Sequence, residues 1–329
     1  MSPILPVCVT QRHPARDGSC VLSAILLLSQ DHHPPLPLDI LKIKHPMLMY
    51  QKSIVALFLL AILSASVPCH AQEPADSLDR TAETLQRIQS LSYFFEAADK
   101  EIQYSLFVPS TYRKDQPTPL VVALHGLNGT PHQIIRYPQF TTLAEKHGYI
   151  VVAPMGFNTR GWYGSLGNRG GRAGDPDNLG ELSEQDVMNV VEIIEKNYNV
   201  DPNRICLMGH SMGGGGTLHI GIKYPEKWAA LGPISPAIYR SPDELEKIPR
   251  TPVILVQGDK DRLVPVSIAR NWVNKMKDLQ MNHRYIEVPN GGHLLVAFQH
   301  LPDIFEFFNA FGDRRQRNAA VPADAAPQP

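Results

Sequence analysis

Residues 205–213 read Ile205-Cys206-Leu207-Met208-Gly209-His210-Ser211-Met212-Gly213. The run from Ile205 to Met208 is a short, continuous apolar stretch, as expected of a strand covered on both faces. A helical segment, Met212–Lys223, begins just after it, and the serine between them sits in the pattern G-x-S-x-G. Glycine is needed on both sides for a steric reason. A tight strand-to-helix turn brings the two elements so close that side chains at 209 and 213 would collide with them. Such a turn lifts the Ser211 hydroxyl above the sheet and points the positive end of the helix toward it. The further glycines Gly214, Gly215 and Gly216 each cost a helix about 1 kcal/mol relative to alanine, which predicts close packing of that first turn.

Working outward, the chain alternates between strand-like and helix-like segments. Strands are expected at Ile102–Val108, Leu120–Leu124, Tyr149–Val152, Ile205–Met208, Ala230–Ile234, Val253–Gln257 and Tyr285–Val288. Helices are expected at Phe140–His147, Glu184–Asn197, Met212–Lys223, Ser267–Leu279 and Asp303–Phe311. Ser183 followed by Asp186 resembles a capping box at the start of the second helix. An additional early helix is expected over Leu78–Ile88. Such alternation implies an α/β domain: a mostly parallel central sheet flanked by helices on both faces, here over residues 72–312.

A serine hydroxyl is a weak nucleophile until a base takes its proton. With an elbow of this kind the chain order is serine, acid, histidine. The apolar run Val253–Gln257 ends at Gly258-Asp259-Lys260-Asp261-Arg262-Leu263-Val264-Pro265, which offers two acids. Asp261 is favoured, because it lies three positions before Val264-Pro265, where a new helix approaches. Asp259 suits a loop-stabilising role. The base is His293, in the glycine turn Asn290-Gly291-Gly292-His293-Leu294 after the last strand. His210, His219, His283 and His300 are read as packed or surface side chains. The oxyanion-binding N–H groups are expected from Met212, next after the serine, and from Leu127 in the loop His125-Gly126-Leu127-Asn128-Gly129. His125 itself suits a structural hydrogen bond holding that loop.

The elbow, the aspartate loop and the histidine turn resemble those of bacterial secreted α/β-hydrolase esterases. The similar branch contains polyhydroxybutyrate depolymerase-like, feruloyl-esterase-like and acetylxylan-esterase-like enzymes. The matching segments are Pro119–Thr130, Asp186–Ala237, Val253–Pro265 and Asn290–Leu294, and together they run through most of residues 100–311. The resemblance implies the α/β-hydrolase fold and a carboxylic ester hydrolase acting by a Ser-His-Asp triad through an acyl-enzyme. It implies no cofactor and no metal. A prolyl-oligopeptidase-like serine peptidase or amidase shares similar motifs, and a non-catalytic binding protein could retain the fold. Dienelactone-hydrolase-like proteins usually carry cysteine as nucleophile, and Ser211 argues against that branch.

Substrate choice falls to the loops. The segment Phe157–Gly180 contains Trp162 and Tyr163, aromatics suited to an aryl or sugar group or to ordinary packing. No large cap domain is evident between Gly232 and Pro252, so an open site is expected, taking a small-molecule or polymer-linked ester.

Composition bounds the rest. At 43% hydrophobic and 19% charged residues the 329-residue chain is that of a globular protein. A net charge of -1 removes the electrostatic case for nucleic acid. There is no HExxH, no paired CxxC and no dinucleotide-binding glycine fingerprint. Residues 49–71 have the layout of a secretory signal peptide: Lys52, an apolar run Ile54–Leu63, then small residues to a cleavage site after Ala71. That run is short against the roughly 20 residues of a membrane span. Export to the periplasm or the cell exterior is expected, with no stable membrane span after cleavage. Residues 1–48 lack periodicity and read as a mispredicted or disordered extension, with translation starting at Met47 or Met49. Cys8, Cys20 and Cys69 precede the cleavage site, leaving Cys206 as a buried, inert thiol in the mature chain. The tail, residues 313–329, reads as disordered. Nothing in the sequence fixes an oligomeric state.

Overall fold

Eight strands form one sheet: β1 (Gln89–Phe95), β2 (Lys100–Phe107), β3 (Thr118–Leu124), β4 (Ile150–Pro154), β5 (Val200–His210), β6 (Ala230–Ile234), β7 (Val253–Gly258) and β8 (His283–Val288). Their order is β1-β2-β4-β3-β5-β6-β7-β8. The antiparallel pairs are β1 with β2 and β2 with β4; every other neighbouring pair is parallel. The computed structural model describes residues 81–319, all within one compact unit. The expected leader (1–48) and signal peptide (49–71) lie outside the described residues.

The helices are α1 (Pro131–Ile135), α2 (Phe140–His147), α3 (Leu179–Asn197), α4 (Met212–Lys223), α5 (Val266–Asp278), α6 (Leu295–Gln299), α7 (Leu301–Phe311) and α8 (Arg314–Ala319). Side chains alternate across a strand, so one run of apolar residues serves two cores. Val122, Leu124, Leu207 and Leu255 bury against Val187 and Val190 of α3, Leu218 of α4 and Trp272 of α5. Their neighbours Val121, Ala123, Met208 and Val256 bury on the opposite face, against Phe140 of α2 and Phe305 and Phe308 of α7. Burying each large apolar side chain contributes about 1.5–3 kcal/mol. The expected architecture holds, helices on both faces included. Between β6 and β7 lies only a short 3-10 helix, Pro242–Lys247, with no inserted cap. No helix among the described residues is long and apolar enough to cross a membrane.

Two local expectations need correction, and one strand lies outside those expected. That strand is the edge strand β1, Gln-Ser-Leu-Ser-Tyr-Phe-Phe, whose short alternation is broken by the exposed Phe94. The helix expected from Glu184 begins at Leu179, so Ser183 and Asp186 are not a cap. They are buried inside α3, where Ser183 Oγ accepts the Tyr163 N–H (3.0 Å) and Asp186 accepts those of Gly156 (2.6 Å) and Phe157 (3.0 Å). The tail is ordered further than composition suggests. Residues 314–319 form α8, anchored where Arg315 pairs with Asp201 and Asp313. Of the expected early helix, residues 81–86 are helical.

Candidate active site

The turn between β5 and α4 is the sterically crowded one. A Cβ on Gly213 would stand 2.0 Å from the Leu124 carbonyl oxygen, and one on Gly209 would stand 2.3 Å from the Gly213 carbonyl oxygen. Gly214, Gly215 and Gly216 are equally hemmed in, by Ile234, Ala237 and Tyr163. Ser211 itself takes φ 60°, ψ -117°. A non-glycine residue so placed costs about 1–3 kcal/mol and persists only where its surroundings hold it. Here its N–H bonds to the Ile234 carbonyl (2.9 Å) and its own carbonyl accepts from Gly215 and Ala237 (both 3.0 Å).

Past the end of β7, the carboxylate of Asp261 receives His293. Asp261 Oδ2 lies 2.7 Å from His293 Nδ1 and also accepts from Gln257 Nε2 at 3.0 Å. The other oxygen, Oδ1, accepts the N–H groups of Leu263 and Val264, both at 2.9 Å. Burial works to raise the Asp261 pKa, but the Val264 N–H, His293 and the Leu263 N–H outweigh it and hold the group below its ordinary value. Asp259 is elsewhere: its N–H bonds to the Val288 carbonyl at 3.1 Å, and its side chain has no bond to His293.

Ser211 and His293 line one cleft of about 710 Å³, together with Leu127, Trp162 and Tyr239. No direct hydrogen bond joins the Ser211 hydroxyl to His293. Gly126 brings the β3 loop against the serine: a Cβ there would stand 3.4 Å from Ser211 Cβ. Leu127 N–H has no backbone partner among the described residues. Met212 opens α4, where a first-turn N–H has no carbonyl within the helix to bond. His125 holds this loop from beneath, with Nε2 2.8 Å from the Met155 carbonyl oxygen and Nδ1 2.8 Å from that of Gly126. Burial lowers its pKa, while these two carbonyl acceptors work to raise it.

The two aromatics expected at the substrate part company. Trp162 lines the cleft, whereas Tyr163 does not and is 0% exposed. Both residues have positive φ, 56° and 51°, and this kink turns Tyr163 into the core. There its hydroxyl donates to the His125 carbonyl at 3.2 Å. Tyr163 is therefore a support for the His125 loop rather than a substrate contact.

Of the remaining histidines, His219 bonds Glu184 (2.9 Å) and His300 bonds Asp303 (2.8 Å), away from the cleft. His210 is packed, as expected, but with an unforeseen partner. Its Nε2 donates to the His293 carbonyl at 2.9 Å, and its Nδ1 accepts from the Tyr137 hydroxyl at 2.9 Å. Nothing in spacing or composition signals that contact.

Residues 96–306 match the Esterase family, and the chain belongs to that family. Among its relatives is a bifunctional acetylxylan esterase/xylanase of Neocallimastix patriciarum, 26% identical over 174 residues, which are 53% of this chain and 23% of that protein. The acylamino-acid-releasing enzyme of Rattus norvegicus is 26% identical over 248 residues, 63% of this chain and 33% of that protein. The chain thus spans a third or less of the length of these two relatives. In fold it is similar to a ferulic acid esterase of Anaeromyces mucronatus, with a TM-score of 0.54, 17% identity, and coverage of 68% of this chain and 90% of the other.

Proposed function

We propose that the protein hydrolyses uncharged carboxylic esters by acyl transfer through Ser211, His293 and Asp261. The observation that carries this reading is the Asp261–His293 hydrogen bond, made beside a serine held in a strained turn on the same cleft. His293 takes the proton of Ser211 as its oxygen adds to the ester carbonyl, and Asp261 orients the imidazole and stabilises its charged form. The N–H groups of Met212 and Leu127 receive the oxyanion, each such donor being worth about a hundred- to a thousandfold in rate. His293 returns the proton to the departing alcohol. Water, deprotonated by the same histidine, then releases the acid from Ser211.

The cleft's lining limits the substrate. Among the described residues that line it there is no Lys, Arg, Asp or Glu, and Leu127, Ile134, Tyr137, Trp162 and Leu294 supply apolar surface. Acyl and alcohol groups without charge suit it, free or polymer-linked. In this reading residues 49–71 direct export, tested by an N-terminus at Gln72 in the secreted protein. Hydrolysis of p-nitrophenyl acetate, butyrate and octanoate, measured beside Ser211→Ala, tests the activity. Turnover should vanish in the variant; unchanged turnover would remove Ser211 from the mechanism.

The likeness to an acylamino-acid-releasing enzyme supports a second reading, amide hydrolysis by the same three residues. Faster cleavage of N-acetyl-alanine p-nitroanilide than of p-nitrophenyl butyrate would favour it.

A further inference from the structure

His293 stands on a short segment between Gly291, whose N–H bonds to the Val288 carbonyl and whose carbonyl accepts from the Lys260 N–H (both 3.0 Å), and the buried Val296 and Ala297 of α6. It follows Gly291 and Gly292, and a Cβ on Gly292 would meet no atom within 4 Å. The next two residues, Leu294 and Leu295, are exposed. The bond to Asp261 ties down one atom of the ring, and a ring tied at one atom still pivots with its backbone. A base that must reach the serine oxygen needs a second tie.

That tie comes from the residue beside the nucleophile. His210 is 3% exposed at the end of β5, and its Nε2 lies 2.9 Å from the His293 carbonyl oxygen. A carbonyl only accepts, so Nε2 carries the proton and Nδ1 has a free lone pair. Tyr137, 2.9 Å away, donates its hydroxyl to that lone pair and so fixes the tautomer. Burial raises the Tyr137 pKa to about 12 and lowers that of His210 to about 4, so both stay neutral at neutral pH. The Tyr137 ring also packs edge-on against Phe298 of α6, with centroids 4.8 Å apart. The helix that follows His293 is thereby held by the same side chain. The rings of His210 and His293 are themselves 4.8 Å apart.

We infer that His210 is a positioning residue: its Nε2–H, donated to the His293 carbonyl, sets the base at a fixed height over Ser211, with Tyr137 holding the donor in register. The inference rests on the proposed roles of Ser211 and His293. Nucleophile and base come from loops 82 positions apart in the chain, and His210 ties the second loop to the first at the residue next to the serine. Misplacing a reacting group by about 1 Å costs about a hundredfold in rate.

The test compares His210→Phe, which fills the space without a donor, with His210→Gln, whose amide N–H retains one. Both are assayed on p-nitrophenyl butyrate beside wild type and Ser211→Ala, with melting temperatures taken in parallel. His210→Phe should lose about a hundredfold in kcat with KM within about threefold, because ground-state binding does not use the tie. His210→Gln should recover at least about tenfold of that loss, whatever its melting temperature. Labelling of Ser211 by a fluorophosphonate should slow in step with kcat. The inference is overturned if His210→Phe keeps wild-type kcat, if Gln is no better than Phe, or if the loss lies in KM. A Ser211→Ala variant as active as wild type would instead defeat the proposed function, and this inference with it.

Discussion

Asp261 meets His293 with one oxygen only; its Oδ2 is 2.7 Å from the imidazole Nδ1, while Oδ1 is committed to two backbone N–H groups of its own loop. The carboxylate cannot rotate without breaking those bonds, so the imidazole finds it always in one place. Asp261→Asn would turn an acceptor into a possible donor and favour the wrong tautomer of His293. The expected loss in kcat is about a thousand- to ten-thousandfold. Asp259→Asn, in the same loop but unconnected to His293, should stay within about threefold of wild type by the same assay.

Acid should weaken the Asp261 anchor in a defined direction. Its folded-state pKa is depressed, so the stabilisation it gives is present above the unfolded-state value and is lost as pH falls through the folded one. Melting curves of wild type and Asp261→Asn should therefore differ at pH 7 and converge as pH falls below about 4.

A second carboxylate makes a sharper case. Glu184 is held at a pKa of about 2: burial opposes ionisation, but His219, Lys223 and Tyr224 overcome it through hydrogen bonds. The cluster lies away from the cleft and ties α3 to α4. Glu184→Gln should lower the melting temperature at pH 7, and the gap should close as pH falls from about 4.5 toward 2. A gap that persists at low pH would show that packing, not charge, sets the difference.

Gly213 allows no side chain. With the Leu124 carbonyl oxygen 2.0 Å from where a Cβ would sit, Gly213→Ala must push β3 away from α4. The expected result is a loss of about 2–4 kcal/mol in unfolding free energy, measured in urea, with activity falling because Gly126 and Leu127 move with β3.

Trp162 lines the cleft, whereas Tyr163 supports the loop that carries His125. Trp162→Ala should raise KM for p-nitrophenyl octanoate more than for acetate, since it removes apolar surface from the cleft. Tyr163→Phe removes one buried hydrogen bond to the His125 carbonyl and should cost about 1 kcal/mol of stability without changing the ratio of the two esters.

What could be read from sequence follows from how local each signal is. Ile205–Met208 and Val253–Val256 announce themselves because strands covered on both faces are rich in continuous apolar runs. The glycines around Ser211 were legible for a steric reason that holds in any such turn. β1 was not, since its alternation Ser90-Leu91-Ser92-Tyr93 is short and is broken by the exposed Phe94 beside Phe95. Ser183 and Asp186 read as a cap because a cap is the local use for such a pair, while their partners Tyr163 and Gly156 are fixed only by the folded chain. The His210–His293 contact spans 83 residues and involves a backbone oxygen, which every residue has. No side-chain pattern encodes it.

The backbone of Ser211 has one more implication. Glycine would sit at φ 60°, ψ -117° without strain, and the chain already uses glycine at five of the seven positions from 209 to 216 that flank the serine. As building material, then, serine is the inferior component at this spot. A chain relieved of any need to react could relax the turn with a single change and become sturdier. With the role proposed for Ser211, the hydroxyl there marks a conflict between durability and reactivity, settled at this one residue in favour of reactivity.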